Sequence, residues 1–555
     1  MITTKAGNRL GGSRSIRQSW QSLVWAVVAL LCGIALAVLP LQLALAGLLL
    51  ALLCILSLID TRVALIVTLV IAPLKILTET ELPFAHQIPL DIGQIALICT
   101  FGIWLTRSIA DNRRLNLRWT PMIVPLVVII VTAALSLWSS FALWSTLKEL
   151  FLWVEMLAMV VLVVSLMGEG SAEWLVVGLV AAGCVQAIIG IYEFRGGSGA
   201  THLWILDYRY FRAFGSFGQP NPFGAFMGLI LSVALGTAYG SATEAWDAYR
   251  VFRKELISPP APAPSGINIS KNAGSGRPDP YAEPSDVGER PASPAAISQY
   301  LLITGGRTAL YGVAAAILGA GLIVSWSRGA WLGFGAAAAM LVFFAPRRRW
   351  IGAALVGIVV VGLGIGLVTG LAPASLVNRL SDFSQELTAV DDVRGQQISD
   401  ANYAVLERLA HWQAAVGMAT DHPWLGVGFG AYEAAYPQYA LLNWPLALGH
   451  AHNYYLNLLA ETGLIGLVGY LAAWIAIVGM TLRVLRRETG FRRGVALGIL
   501  GAWTHLAVHS FFDKLYVNNL FLHLGVMLGL IGGFFICEQV YARQQRERWH
   551  HYGQH

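Results

Sequence analysis

Charge is scarce in this chain. Only 12% of its 555 residues are Asp, Glu, Lys or Arg, against 56% hydrophobic, whereas soluble domains carry roughly a quarter charged residues. That shortage excludes a soluble globular fold and leaves lipid as the solvent for most of the chain. Cysteine is scarce as well. The five cysteines, Cys32, Cys54, Cys99, Cys184 and Cys537, all lie inside apolar runs, which excludes a loop disulfide and a cysteine metal centre. The basic N-terminal stretch leads into an apolar run without an A-x-A-like cleavage site, so the first run reads as a retained helix rather than a signal peptide. A phosphate-cradling Gly-rich loop, a nucleotide fold and a nucleophilic Ser or Cys arrangement are all missing. Any reaction must therefore draw on an activated donor made elsewhere, with no cofactor.

What the chain does have is apolar length. Mean hydropathy is +0.62, and the 58 Gly and 19 Trp suit membrane helices and their interfaces. A span needs about 20 mostly apolar residues, and about fourteen candidates meet this requirement: 22–39, 41–59, 62–77, 92–107, 121–138, 146–166, 174–193, 223–240, 308–326, 329–345, 351–370, 453–480, 495–511 and 519–539. The expected fold is all-α and polytopic. The net charge of +6 comes from Lys and Arg clustered between spans, a topology signal rather than a nucleic-acid footprint. Lys5, Arg9, Arg14 and Arg17 place the N-terminus in the cytoplasm. The stretches Arg107 to Arg118, Arg250 to Lys254, Arg347 to Arg349 and Arg483 to Arg493, with the tail from Arg543, then all fall inside as well. Both termini are thus expected on the cytoplasmic side of the inner membrane.

The organisation follows from these spans: a cytoplasmic segment 1–21, spans over 22–240, an insertion over 241–307, spans over 308–370, a large outer loop 371–452, spans over 453–540 and a tail 541–555. The insertion holds ISPPAPAPSG and SGRPDPYAEPSDVGERPASP, a Pro/Ser/Gly-rich composition that cannot bury a core and is expected to be disordered. The outer loop is expected to contain a helix near 400–420, with Asp400 as its N-cap and Pro423 after its end.

The irregular polar sequence gathers on the outer side, and each candidate there has a functional and a plain reading. His452, in His450-Ala451-His452-Asn453, stands where the loop meets a span. A neutral imidazole there can accept a proton, or the group merely marks a helix start capped by Asn453. Arg328, in SWSRGAW, sits in a short outer turn. It either snorkels to the headgroups or offers the guanidinium fork that a pyrophosphate requires. Arg408 shares a helix face with His411 and Trp412; it is either functional or a solvated charge. Arg209, Arg212 and Asn221 belong to an earlier outer loop, where Pro220 and Pro222 fix a rigid turn. His505, His509 and Asp513 are spaced for one helix face. They read as an internal polar stripe in preference to a metal site, and no metal is expected.

SWSRGAWLGF, ERLAHWQAAVGMATDHPWLGVGFGAY and HAHNYYLNLLAETGLIGLVGYL, in this order, resemble the O-antigen ligase and O-antigen polymerase superfamily over roughly residues 205–535. His452-Asn453-x9-Gly463-x2-Gly466 is similar to the ligase signature, with Leu467 where that signature usually carries Thr or Val. The resemblance implies inverting, metal-independent transfer of a glycan from undecaprenyl pyrophosphate at the outer face of the cytoplasmic membrane. It implies His452 as general base and Arg328 and Arg408 on the pyrophosphate, with Arg212 as a further phosphate contact; Asn221, His450, Asn453 and Trp412 are the remaining candidates for contact with the substrate. The acceptor could be a glycan, a lipid or a protein. Some similar proteins are labelled bicarbonate transporters, so small-anion transport is the second class. It would place charges or broken helices near the midplane, where Glu155 is the strongest candidate, with Lys75, Asp91, Lys148 and Glu149 nearer the boundaries.

Overall fold

The computed structural model describes residues 41–81, 90–112, 117–168, 171–197, 203–205, 209–257, 294–370, 392–399 and 402–552. In chain order the helices are α1 (Leu41–Ile59), α2 (Thr61–Ile71), α3 (Lys75–Glu81), α4 (Ile92–Asn112), α5 (Ile123–Ala134), α6 (Leu143–Leu166), α7 (Ser171–Phe194) and α8 (Pro220–Ile257). They continue with α9 (Pro294–Val324), α10 (Arg328–Phe344), α11 (Arg349–Val368), α12 (Tyr403–Asp421), α13 (Tyr432–Ala435), α14 (Tyr454–Arg487), α15 (Gly490–His509) and α16 (Leu520–Tyr552). The strand content of the described residues is one small antiparallel pair, β1 (Trp204–Ile205) and β2 (Tyr210–Phe211), with Trp204 opposite Phe211.

Every apolar run read from the sequence that lies within the described residues is helical. Eight of these helices are long and apolar enough to cross a membrane, and four shorter apolar ones accompany them. The run at 62–77 is not one helix. Pro73 lacks the N–H that a continuing helix needs, and a 3-10 turn at Ala72–Leu74 separates α2 from α3.

Two expected boundaries are corrected. The insertion does not begin at 241 or end at 307: α8 runs on to Ile257 and α9 starts at Pro294. The stretch 241–257 lacks Gly and Pro, so its helix outlasts its apolar run. Pro294 takes the first helical position, where a missing N–H is harmless. The loop helix α12 begins at Tyr403 with Asn402 at its N-cap position. Asp400, the segment 1–21, the run 22–39, residues 258–293 and residues 371–391 lie outside the described residues.

Helix α8 is the centre of the bundle, packed on α9, α10 and α15. Its contact with α15 is backbone on backbone. Gly236 and Gly240 face Gly494 and Gly498, and a Cβ built at Gly236 would stand 2.3 Å from the amide nitrogen of Gly498. Small residues four apart permit this approach, which dispersion and packing then stabilise in lipid. The stretch Leu520–Cys537 of α16 is likewise almost wholly inside, while α11 buries almost nothing and exposes Ile358, Val360 and Leu363, as a lipid-facing helix should.

Candidate functional site

Residues from three stretches of the chain meet at one end of the bundle. Helix α14 begins at Tyr454, and Asn453 caps it by accepting from the N–H groups of Tyr455 and Leu456 at 3.0 and 3.2 Å. The plain reading therefore holds for Asn453: its side-chain oxygen serves the helix start. His452, one residue earlier, has φ 51°, a left-handed conformation that costs a non-glycine residue about 1 kcal/mol or more. The turn is held on both sides. The N–H of His452 donates to His450 Nδ1 at 3.0 Å, and that of Tyr454 donates to the Ser510 carbonyl at 2.8 Å.

Asp513 sits at the centre. The spacing of His505, His509 and Asp513 suggested one helix face, but α15 ends at His509 and Asp513 lies in the turn beyond it. That turn brings Asp513 Oδ1 within 3.5 Å of His450 Nε2 and 3.8 Å of His452 Nδ1. The Lys514 N–H donates to Oδ1 at 2.9 Å and the Asn221 amide donates to Oδ2 at 2.9 Å. Burial works against the carboxylate. The imidazoles of His452, His450 and His509 outweigh it and hold the carboxyl well below the usual range. Burial pushes the His450 imidazole down to about 4 against the opposing pull of Asp513. Lys514 is held protonated by Glu149, at 3.0 Å, and by Glu461, despite its burial.

Asn221 ties this centre to the α9–α10 turn. Its Oδ1 accepts from Arg212 Nη2 at 3.3 Å and from Ser327 Oγ at 2.9 Å. Ser327 is also the N-cap of α10, accepting from the Ala330 N–H, and Arg328 is the first residue of that helix. Trp326 before it has φ 52°, the same strained region as His452. Gly329, which follows Arg328, packs against the His509 ring, 2.7 Å from where its Cβ would be. The Arg212 Nε donates to the Ser325 carbonyl at 3.4 Å. Arg328 and Arg212 are thus both mounted on the Asp513–Asn221 axis.

The third stretch is α12. His411 stands edge-on to His452, with ring centroids 5.9 Å apart, and stacks on Tyr436 at 4.6 Å. Its Nδ1 lies 3.0 Å from the Tyr432 hydroxyl. Burial, then the His452 charge, pushes His411 down to about 4. Arg408 is one helical turn before His411 and within electrostatic reach of His509. Trp412 follows on this helix with its indole N–H buried and unbonded among the described residues.

His505 does not join the site. It is fully buried between Gly228 of α8 and Gly333 of α10, which agrees with an internal polar stripe. His509 lines the edge of the cluster. The donor atoms of His450, His452 and Asp513 lie within 4.8 Å of one another, close enough to share a metal ion.

Several positioning residues escaped the sequence reading. Glu193 of α7 accepts from the N–H groups of Phe214 and Gly215 at 2.9 and 2.8 Å, and Gln186 accepts from that of Ser216 at 3.0 Å. They fix the turn that delivers Asn221, and a lone carboxylate late in an apolar run was the available signal. Ser327 was legible as a serine before an apolar run, the pattern of a helix cap. Gly463 breaks α14 with φ 63° and ψ −167°. At the break, the loop 423–428 bonds to the helix backbone: Leu464 N–H to Pro423 O at 2.8 Å, Val427 N–H to Ala460 O and Gly428 N–H to Glu461 O at 2.9 Å. A Cβ on Gly463 would meet the Trp424 carbonyl carbon at 2.3 Å.

Residues 300–471 match the family described as O-antigen ligase. The matched segment contains Arg328, Arg408, His450, His452, Asn453, Gly463 and Gly466, and lies within the 205–535 range that the motifs suggested. It likens that segment to the O-antigen ligase and polymerase superfamily, and the eight long apolar helices fit a multi-pass membrane protein. No curated protein matches the chain.

Proposed function

From a chain whose residues 300–471 carry the O-antigen ligase pattern, we propose a transferase. It moves a glycan from undecaprenyl pyrophosphate to an acceptor hydroxyl at the outer face of the cytoplasmic membrane. The observation that carries this reading is the polar chain from Ser327 through Asn221 and Asp513 to His450 and His452. It joins the mounting of Arg328 to the imidazole pair, with Arg408 on the neighbouring helix.

The chemistry follows from the groups. The acceptor oxygen forms a bond to the anomeric carbon as the bond from that carbon to the pyrophosphate oxygen breaks, with inversion. The hydroxyl proton goes to His452. Asp513, ionised and 3.8 Å from Nδ1, offsets the charge the imidazole gains. Positioned bases of this kind contribute about 10²–10⁴ in rate. Arg328 and Arg408 hold the pyrophosphate and stabilise its charge as it leaves. Removing one such contact typically costs about 3 kcal/mol in the transition state.

Purified protein in detergent should consume an undecaprenyl-pyrophosphate-linked glycan when an acceptor is present, without added metal or nucleotide. His452→Ala and Arg408→Ala should each abolish turnover with the fold intact. Full activity in both variants would remove the reading. Because His450, His452 and Asp513 could share an ion, the assay is repeated after dialysis against EDTA, and unchanged turnover is expected.

Small-anion transport is the second reading. Inside the bundle Lys75 pairs with Asp91 at 3.3 Å, and Gln94 donates to buried Glu155 at 2.8 Å. Two carboxylates against one ammonium suit an anion path poorly. Uptake of labelled bicarbonate into proteoliposomes above the level of empty vesicles would revive it.

A further inference from the structure

The end of the bundle opposite the candidate site carries a polar cavity. Helix α6 gives the direction: Glu149 near its start pairs with Lys514 beside Asp513, and Ser165 near its end lines the cavity. The volume is about 520 Å³, and the walls come from the end of α1, the start of α2, the end of α4, the segment before α5 and the end of α6.

Three arginines line it, Arg62, Arg107 and Arg118. Two are pinned by helix ends. Arg107 Nη1 donates to the Ser57 and Leu58 carbonyls at 3.4 and 2.6 Å, and Arg118 Nη1 donates to the Met167 carbonyl at 2.6 Å. A guanidinium has five N–H donors, and these bonds use Nη1 in each. The carboxylate of Asp60 caps α2 by accepting from the Arg62 N–H at 2.8 Å. Ser165 Oγ is buried in the same wall with no hydrogen-bond partner among the described residues. The cavity thus gathers three positive charges, two of them pinned, against one negative, beside a hydroxyl with no partner among the described residues.

We propose that this cavity binds a phosphate-bearing anion, its oxygens held by Arg62, Arg107 and Arg118. A planar fork matches phosphate geometry, and basic pockets between membrane helices take anionic headgroups. The neighbouring surface points to a phospholipid as the source. Leu48, Leu52, Ile55 and Ile59 form an exposed stripe along one face of α1 that ends at the cavity, and acyl chains can lie along it. In the orientation proposed above, the lipid belongs to the cytoplasmic leaflet. The cavity and its charges do not depend on the transferase reading.

The test uses the full-length protein in a neutral detergent. Dioleoylphosphatidylglycerol is titrated by native mass spectrometry, and thermal unfolding is followed with the same lipid or with inorganic phosphate. Phosphatidylglycerol should bind and raise the unfolding temperature. Arg62→Gln should weaken binding by about fivefold or more, and Arg250→Gln, an exposed arginine at the same end of the bundle, should leave it unchanged. Ser165→Leu, which fills the cavity and keeps all three guanidiniums, should lose binding too and serves if Arg62→Gln does not fold. If inorganic phosphate stabilises the wild-type protein more than these variants and the lipid does not, the site stands with a soluble anion as its ligand. If neither probe separates the wild-type protein from Arg62→Gln and Ser165→Leu, the proposal falls.

Discussion

Asp513 does more at the candidate site than the residues around it. It accepts from Asn221 and from the Lys514 backbone while facing both His450 and His452. Asp513→Asn keeps the shape and removes the charge that stabilises a protonated His452. Turnover should fall by about a hundredfold or more with KM little changed, and a loss under threefold would dismiss its positioning role. His411 and His450 make a separate prediction about stability. Both are held at about 4 in the folded chain, against an ordinary value of 6.5. The unfolded chain therefore binds more protons between these values, and stability is lost as pH falls from about 6.5 towards 4. His411→Asn should flatten part of that decline, worth up to roughly 3 kcal/mol, in unfolding temperatures measured across the range. A variant as pH-sensitive as the wild-type protein would refute the assignment to His411.

Among the elements, close backbone contact decides what can be changed. A side chain at Gly498 would press into the Ser232 carbonyl and the Val233 backbone of α8, at 2.7 Å. Gly498→Val should destabilise by about 2 kcal/mol or more, whereas Gly305→Ala on α9, with nothing within 4 Å of its Cβ, should be tolerated. Comparison of the two unfolding temperatures checks this. Gly463 shows how far sequence reading reaches. The spacing His452-Asn453-x9-Gly463-x2-Gly466 was legible as a motif, but its meaning was not. Gly463 is needed because the helix opens there to bond the loop 423–428, and no periodicity of a single segment reveals a partner 40 residues away. The apolar runs were legible for the opposite reason: each depends only on its own residues. Helix ends were misjudged wherever a helix continued past its apolar stretch, as α8 does at 241–257.

For the whole molecule, orientation is the main expectation to check. In a cysteine-free background, Leu442→Cys in the large loop, where Leu442 is almost fully exposed, should react with a membrane-impermeant maleimide on intact spheroplasts. Trp350→Cys, beside the basic turn 347–349, should react only after permeabilisation, and the reverse pattern would invert the topology. His452, Arg328 and Arg408 were found as local motifs. The link between them, Asn221 to Asp513, could not be read, because each was singled out within its own segment and nothing local pairs a helix start with a distant turn. These partners are 292 residues apart in sequence. Synthesis order follows from that distance. A nascent chain made from its N-terminus has no carboxylate for Asn221, His450 or His452 until Asp513 has been added and placed. The candidate site therefore assembles late, however early its first helices fold.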